Sequence, residues 1–102
     1  MNINKFAKRA YECALRRGKI NGRLYGEALR KETVTSLQEE LNEVASSTSK
    51  SSEHITQYSQ TVEEITDVLI VCCTELFRRG IDIEDVMLSK MAFNESRKRL
   101  IT

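Results

Sequence analysis

No proline interrupts this chain, and only four glycines loosen it. Proline lacks the amide proton and clashes with the preceding helical turn, and glycine costs backbone entropy, so both break helices. A chain of 102 residues built this way can run helical almost from end to end. That length suits a single domain, residues 1–102, which buries only about 60–65% of its unfolded surface. The expected fold is all-α: a bundle of roughly four to five helices with a marginal core, completed by oligomerisation.

Charge is balanced, 16 basic residues against 15 acidic, for a net of +1. Such a chain has no global pull toward nucleic acid or membrane. Aromatic residues are few and tryptophan is absent, which argues against a base-stacking platform. Cys13, Cys72 and Cys73 form no paired spacing, and the last two sit in an apolar run as small hydrophobes. That run, Val68 to Cys73, is far shorter than the about 20 residues that cross a bilayer. The N-terminus is polar, without an apolar signal region. A reducing cytoplasm is the expected location.

Hydrophobic spacing divides the chain. Ile3, Phe6, Ala10, Cys13 and Ala14 form one stripe of a first helix, about Ile3 to Arg17, while Lys5, Lys8, Arg9, Arg16 and Lys19 fall on another face. That basic face reads first as solvated and secondarily as a phosphate binder. Gly18 through Gly26 supplies a turn, and a second helix runs from Tyr25 or Thr33 to Ala45. Ser46 to Gln60 is polar and aperiodic and reads as a mobile loop, with His54 solvated in it. A third helix spans about Thr61 to Arg79 and stops at Gly80. Asp82 is the expected N-cap of a fourth, which continues to about Arg99.

The second helix contains Glu40-Leu41-Asn42-Glu43 and the third Glu64-Ile65-Thr66-Asp67. Residues three apart project about 60° from one another, one turn above the other, so each helix offers a two-carboxylate claw. Two claws facing across a bundle bring four hard oxygen donors together, which suits Mg²⁺ or Mn²⁺ with phosphate oxygens. Glu39 points to the far side. On the third helix, Ile65 and Val68 through Cys73 cover nearly every direction of the wheel, as in a buried helix. Glu64 and Asp67 flank the direction of Val71, so they need a counter-charge: a cation, an arginine or a metal ion. A di-iron bundle would want Glu-x-x-His on two helices, and no histidine stands at either position.

On the fourth helix, Lys90, Asn94 and Arg97 share one row that begins with Ile83, Val86 and Met87. Lysine offers a point charge, arginine a bidentate fork for phosphate, and asparagine can donate and accept. The alternative for this row is simple neutralisation of nearby acids.

The ordered set Glu40-x-x-Glu43, Glu64-x-x-Asp67 and Lys90-x-x-x-Asn94-x-x-Arg97 resembles the MazG-like all-α nucleoside-triphosphate pyrophosphohydrolases, a superfamily with dimeric dUTPases, dCTPases and phosphoribosyl-ATP pyrophosphohydrolases among its members. The stretch Ala10 to Lys19 also looks like the first helix of short, phage-type members. The resemblance covers about Leu37 to Arg97. It implies a helical bundle assembled as a homodimer or homotetramer, with Glu40, Glu43, Glu64 and Asp67 as catalytic ligands of Mg²⁺. It further implies that Lys90, Asn94 and Arg97 hold the substrate, a (d)NTP cleaved between its α- and β-phosphates. The competing expectation is a non-catalytic helical module that binds nucleotide or a protein partner.

Overall fold

Four helices follow one another in the computed structural model, which describes residues 1–97: α1 (Ile3–Arg16), α2 (Gly26–Ser46), α3 (Gln60–Phe77) and α4 (Ile83–Ser96). The all-α expectation holds. The expected continuation of the fourth helix to Arg99 lies outside the described residues.

The helix ends follow local chemistry. Asn2 caps α1 by accepting from the amides of Asn4 and Lys5. Ser59 caps α3 through Val62 N, and Asp82 caps α4 through Asp85 N, the position expected from sequence. After α1, Gly18 turns left-handed at φ +70°. Its amide donates to Leu15 O, and that of Lys19 donates to Ala14 O, each at 3.0 Å. This is a Schellman closure, which a side chain at Gly18 would strain.

Helix α3 is the spine. α1 and α2 each pack along it but not on each other, and α4 meets only α1 and α3. Ala7, Cys73 and Ile83 form the buried centre, with Ile3, Phe6, Leu76 and Phe77 against it. A reciprocal clamp ties the start of α4 to the start of α1: Asn4 Nδ2 donates to Asp82 Oδ1 at 3.0 Å, and Ile83 N donates to Asn4 Oδ1 at 2.8 Å.

Two sequence expectations need correction. The third helix is not enclosed on every side, because Ile65 and Leu69 are each more than half exposed. Only two helices lean along α3, and two helices cannot cover a whole cylinder. Leu41 of α2 and Leu88, Met91 and Phe93 of α4 are likewise more than half exposed. The segment after α2 is also no open loop. Ser51 bridges Ser59, Ser52 N donates to Tyr58 O at 2.8 Å, and Gln60 N donates to Lys50 O at 2.7 Å. Its serine and threonine hydroxyls satisfy backbone groups locally, which apolar periodicity does not register.

Ile83 is the largest fully buried side chain. Ile83→Ala is expected to lower stability by about 2–5 kcal/mol, read as a lower urea midpoint at unchanged slope. A loss under about 1 kcal/mol would place α4 outside the cooperative core.

Candidate metal centre and cleft

Because α1 and α2 both lean on α3 without touching, a cleft of about 920 Å³ opens between them, floored by Asp67, Ile70, Val71 and Thr74 of α3. The i, i+3 spacing turns one claw inward from α2 and one from α3. Glu40, Glu43, Glu64 and Asp67 each bring a carboxylate oxygen into a group whose members lie within 4.8 Å of one another. The four acids expected from sequence therefore converge. Glu40 is 8% exposed, Glu64 and Asp67 are half-buried, and Glu43 is exposed.

Nothing in the described chain satisfies this cluster completely. One oxygen of Glu40 and one of Glu64, both Oε2, are buried without a hydrogen-bond partner. Unpaired buried oxygens are costly unless a proton or cation answers them. Burial raises Glu40 above the ordinary carboxylate range, and the neighbouring Glu43 and Asp67 raise it further. Burial also pushes Glu64 up to about 7, reinforced by Glu43 beside it. Asp67 is raised by burial and by Glu63 and Glu43, and is pulled back by Lys19 and Arg17. The donor set is all hard oxygen, and the orphaned atoms point to a missing positive charge. Both facts fit a divalent cation of the Mg²⁺ or Mn²⁺ kind.

Other acids of α3 are answered within the chain. Glu63 receives Ser52 Oγ at 2.6 Å and pairs with His54 Nδ1 at 2.7 Å. His54, expected to be merely solvated, is largely exposed yet stands at the cleft edge. Its hydrogen bond to Glu63 raises it above the ordinary histidine value. Glu75, buried at 4% exposure, pairs with Arg78 Nη1 at 3.2 Å and accepts from Thr33 and Arg79. Arg78 reaches on to Glu32 at 2.8 Å. Sequence reasoning missed this network. The signal was an acid in an apolar helix followed three and four residues later by arginines.

The cleft's other wall is α1 and the turn after it, including Arg9, Arg16, Arg17 and Lys19. The basic face is solvent-exposed as first read; its Arg9, Arg16 and Lys19 also border the cleft, while Lys5 and Lys8 do not. Glu39, expected to point away, also borders the cleft, since the opening is wide enough to take in both flanks of α2. Lys90, Asn94 and Arg97 are not among the residues lining it. Lys90 Nζ lies 4.7 Å and the Arg97 guanidinium 5.7 Å from the Phe93 ring centre, both on α4's own surface. Cys73 is buried and Cys72 half-buried, and burial raises both thiols, consistent with packing roles.

The raised acids make a pH prediction. The unfolded chain releases the Glu64 proton near 4.5 and the folded chain near 7, so metal-free stability falls as pH rises between these values. A cation must displace those protons, so Mg²⁺ or Mn²⁺ is expected to raise the melting temperature more at about pH 8 than at about pH 5.5. Equal shifts at both would take the cation away from these carboxylates.

Compared with family models, curated proteins and solved structures, the chain matches none.

Proposed function

We propose that the protein is a Mg²⁺-dependent nucleoside-triphosphate pyrophosphohydrolase that cleaves a (d)NTP between its α- and β-phosphates, releasing (d)NMP and pyrophosphate. One observation carries this reading: four carboxylates gathered within 4.8 Å, two of them with orphaned buried oxygens, three of the four (Glu40, Glu43 and Asp67) lining a cleft edged by cations. An acidic cluster that existed only for ion pairing would have its buried oxygens satisfied, as Glu75 and Glu63 are.

Glu40, Glu43, Glu64 and Asp67 would hold the cation, and Mn²⁺ suits the same donors. When bound, a divalent ion neutralises phosphate oxygens and lowers the pKa of a water it coordinates. The chain's own contribution is positional. α2 and α3 fix the carboxylates from two rigid helices, and the cleft takes in the substrate. Any of the four carboxylates not engaged by the ion would be a candidate acceptor for the proton of the attacking water. Among the described residues no helix is long and apolar enough to cross a membrane.

Self-association belongs to the same reading. The apolar side chains left exposed on α2, α3 and α4 are what a homodimer or homotetramer would cover. Lys90, Asn94 and Arg97 do not line their own chain's cleft, so their part in holding the triphosphate depends on a second copy. Sedimentation is expected to give a dimer or larger, and a strict monomer at working concentrations would remove the α4 row from the site.

Turnover is tested with a panel of NTPs and dNTPs plus Mg²⁺, separating monophosphate and pyrophosphate from diphosphate and phosphate. Pyrophosphate release is expected from at least one nucleotide, and none from any would end the proposal. Glu64→Gln is expected to lower kcat by about a hundredfold or more while preserving the helical circular-dichroism signal. Undiminished turnover would take Glu64 out of the site.

A further inference from the structure

The turn leaving α1 carries an arrangement that the carboxylate cluster does not explain. Gly18 reverses the chain at φ +70°, and the Schellman bonds fix the backbone on either side of it. Two residues beyond Lys19, the chain is fixed again. Arg78 Nη2, on a side chain only 4% exposed, donates to Asn21 O at 2.7 Å, while Asn21 N donates to both oxygens of Glu32, at 3.2 and 3.3 Å. Gly22 packs so closely that a Cβ there would come within 2.9 Å of Leu15 and 3.0 Å of the Tyr11 hydroxyl. Lys19 therefore projects from a segment anchored at both ends.

Its charge faces the acids but does not neutralise them by contact. Arg17 and Lys19 share the lining of one cleft with Glu40, Glu43 and Asp67. Among the described residues neither cation forms an ion pair. Both line the cleft opposite the carboxylates. A site with exposed cations from an anchored turn on one side, carboxylates including the unsatisfied Glu40 on the other and open space between suits a polyanion that carries a divalent cation. The cations then meet the anion and the carboxylates meet the metal.

We infer that the Arg17–Asn21 turn is the phosphate-binding edge of the cleft, with Lys19 as the principal contact to a metal-bound polyphosphate chain. The assignment deepens the pyrophosphohydrolase reading and rests on it for the turnover measurement alone. The ordinary alternative is that these cations complement the negative end of the α1 dipole. That role would change stability and leave ligand affinity untouched.

Lys19→Ala and Lys19→Arg are compared with wild type at saturating Mg²⁺. One measurement is steady-state kinetics on a nucleotide the wild type hydrolyses, and the other is calorimetric binding of Mg²⁺-tripolyphosphate. Lys19→Ala is expected to raise KM and the tripolyphosphate Kd by about tenfold to a hundredfold, with kcat held within about threefold. Lys19→Arg should recover most of the loss. Mn²⁺ affinity without phosphate should not fall, since removing a neighbouring cation leaves the carboxylates more negative. Values of KM and Kd within about twofold of wild type would overturn the assignment, whatever happens to melting temperature. A wild type that hydrolyses no nucleotide yet binds tripolyphosphate through Lys19 would overturn the pyrophosphohydrolase reading and leave the phosphate edge standing. A wild type that does neither overturns both.

Discussion

A carboxylate taken out of water destabilises the fold unless a proton, a cation or several donors answer it. Helix α3 carries four acids toward protein, and the fold answers them unequally. Glu75 is met by Arg78, Arg79 and Thr33, and Glu63 by Ser52 and His54. Glu64 and Asp67 are met chiefly by more carboxylates, Glu40 and Glu43. The first two arrangements hold the structure together. The third gathers carboxylates at one place, with Glu40 buried and Glu64 and Asp67 half-buried, and such a cluster could hold a cation.

The satisfied acids also determine how the unsatisfied ones are presented. The Glu75–Arg78–Glu32 network joins α2 to α3 and reaches through Asn21 to the turn after α1. It thereby fixes the angle at which α2 offers Glu40 and Glu43. The Ser52–Glu63–His54 contacts fasten the connection between α2 and α3 beside the cleft. Structural ion pairs beside the cleft support a cluster whose own groups repel one another. Such sites are less stable without their ligand, and their ionisation is linked to metal uptake.

The arrangement of helices gives the cleft its two-sided character. α1 and α2 pack on α3 but not on each other, so the space between them stays open. One bank is acidic because the inward residues of α2 and α3 are acidic, and the other is basic because Arg16 ends α1 and Arg17 and Lys19 follow in the turn. α4 holds to the bundle by the Asn4–Asp82 clamp and the buried Ile83, leaving much of its apolar surface uncovered. Bundle completion by another copy would cover both α4 and the open side of α3.

Much of the site was legible in the sequence, because i, i+3 carboxylates share a helix face wherever that helix goes. The absence of proline, the cap at Asp82 and the stop at Gly80 likewise act within a few residues. Local chemistry of this kind determined the helices and placed Glu40 with Glu43, and Glu64 with Asp67. Only the tertiary structure decided that the two pairs meet, since that depends on how α2 crosses α3. It alone turned the α1 cations toward them and kept Lys90, Asn94 and Arg97 off that wall. It also set Glu75, Arg78 and Glu32 into one network across residues far apart in the chain. Periodicity reports which face a residue occupies, and only packing reports what that face touches.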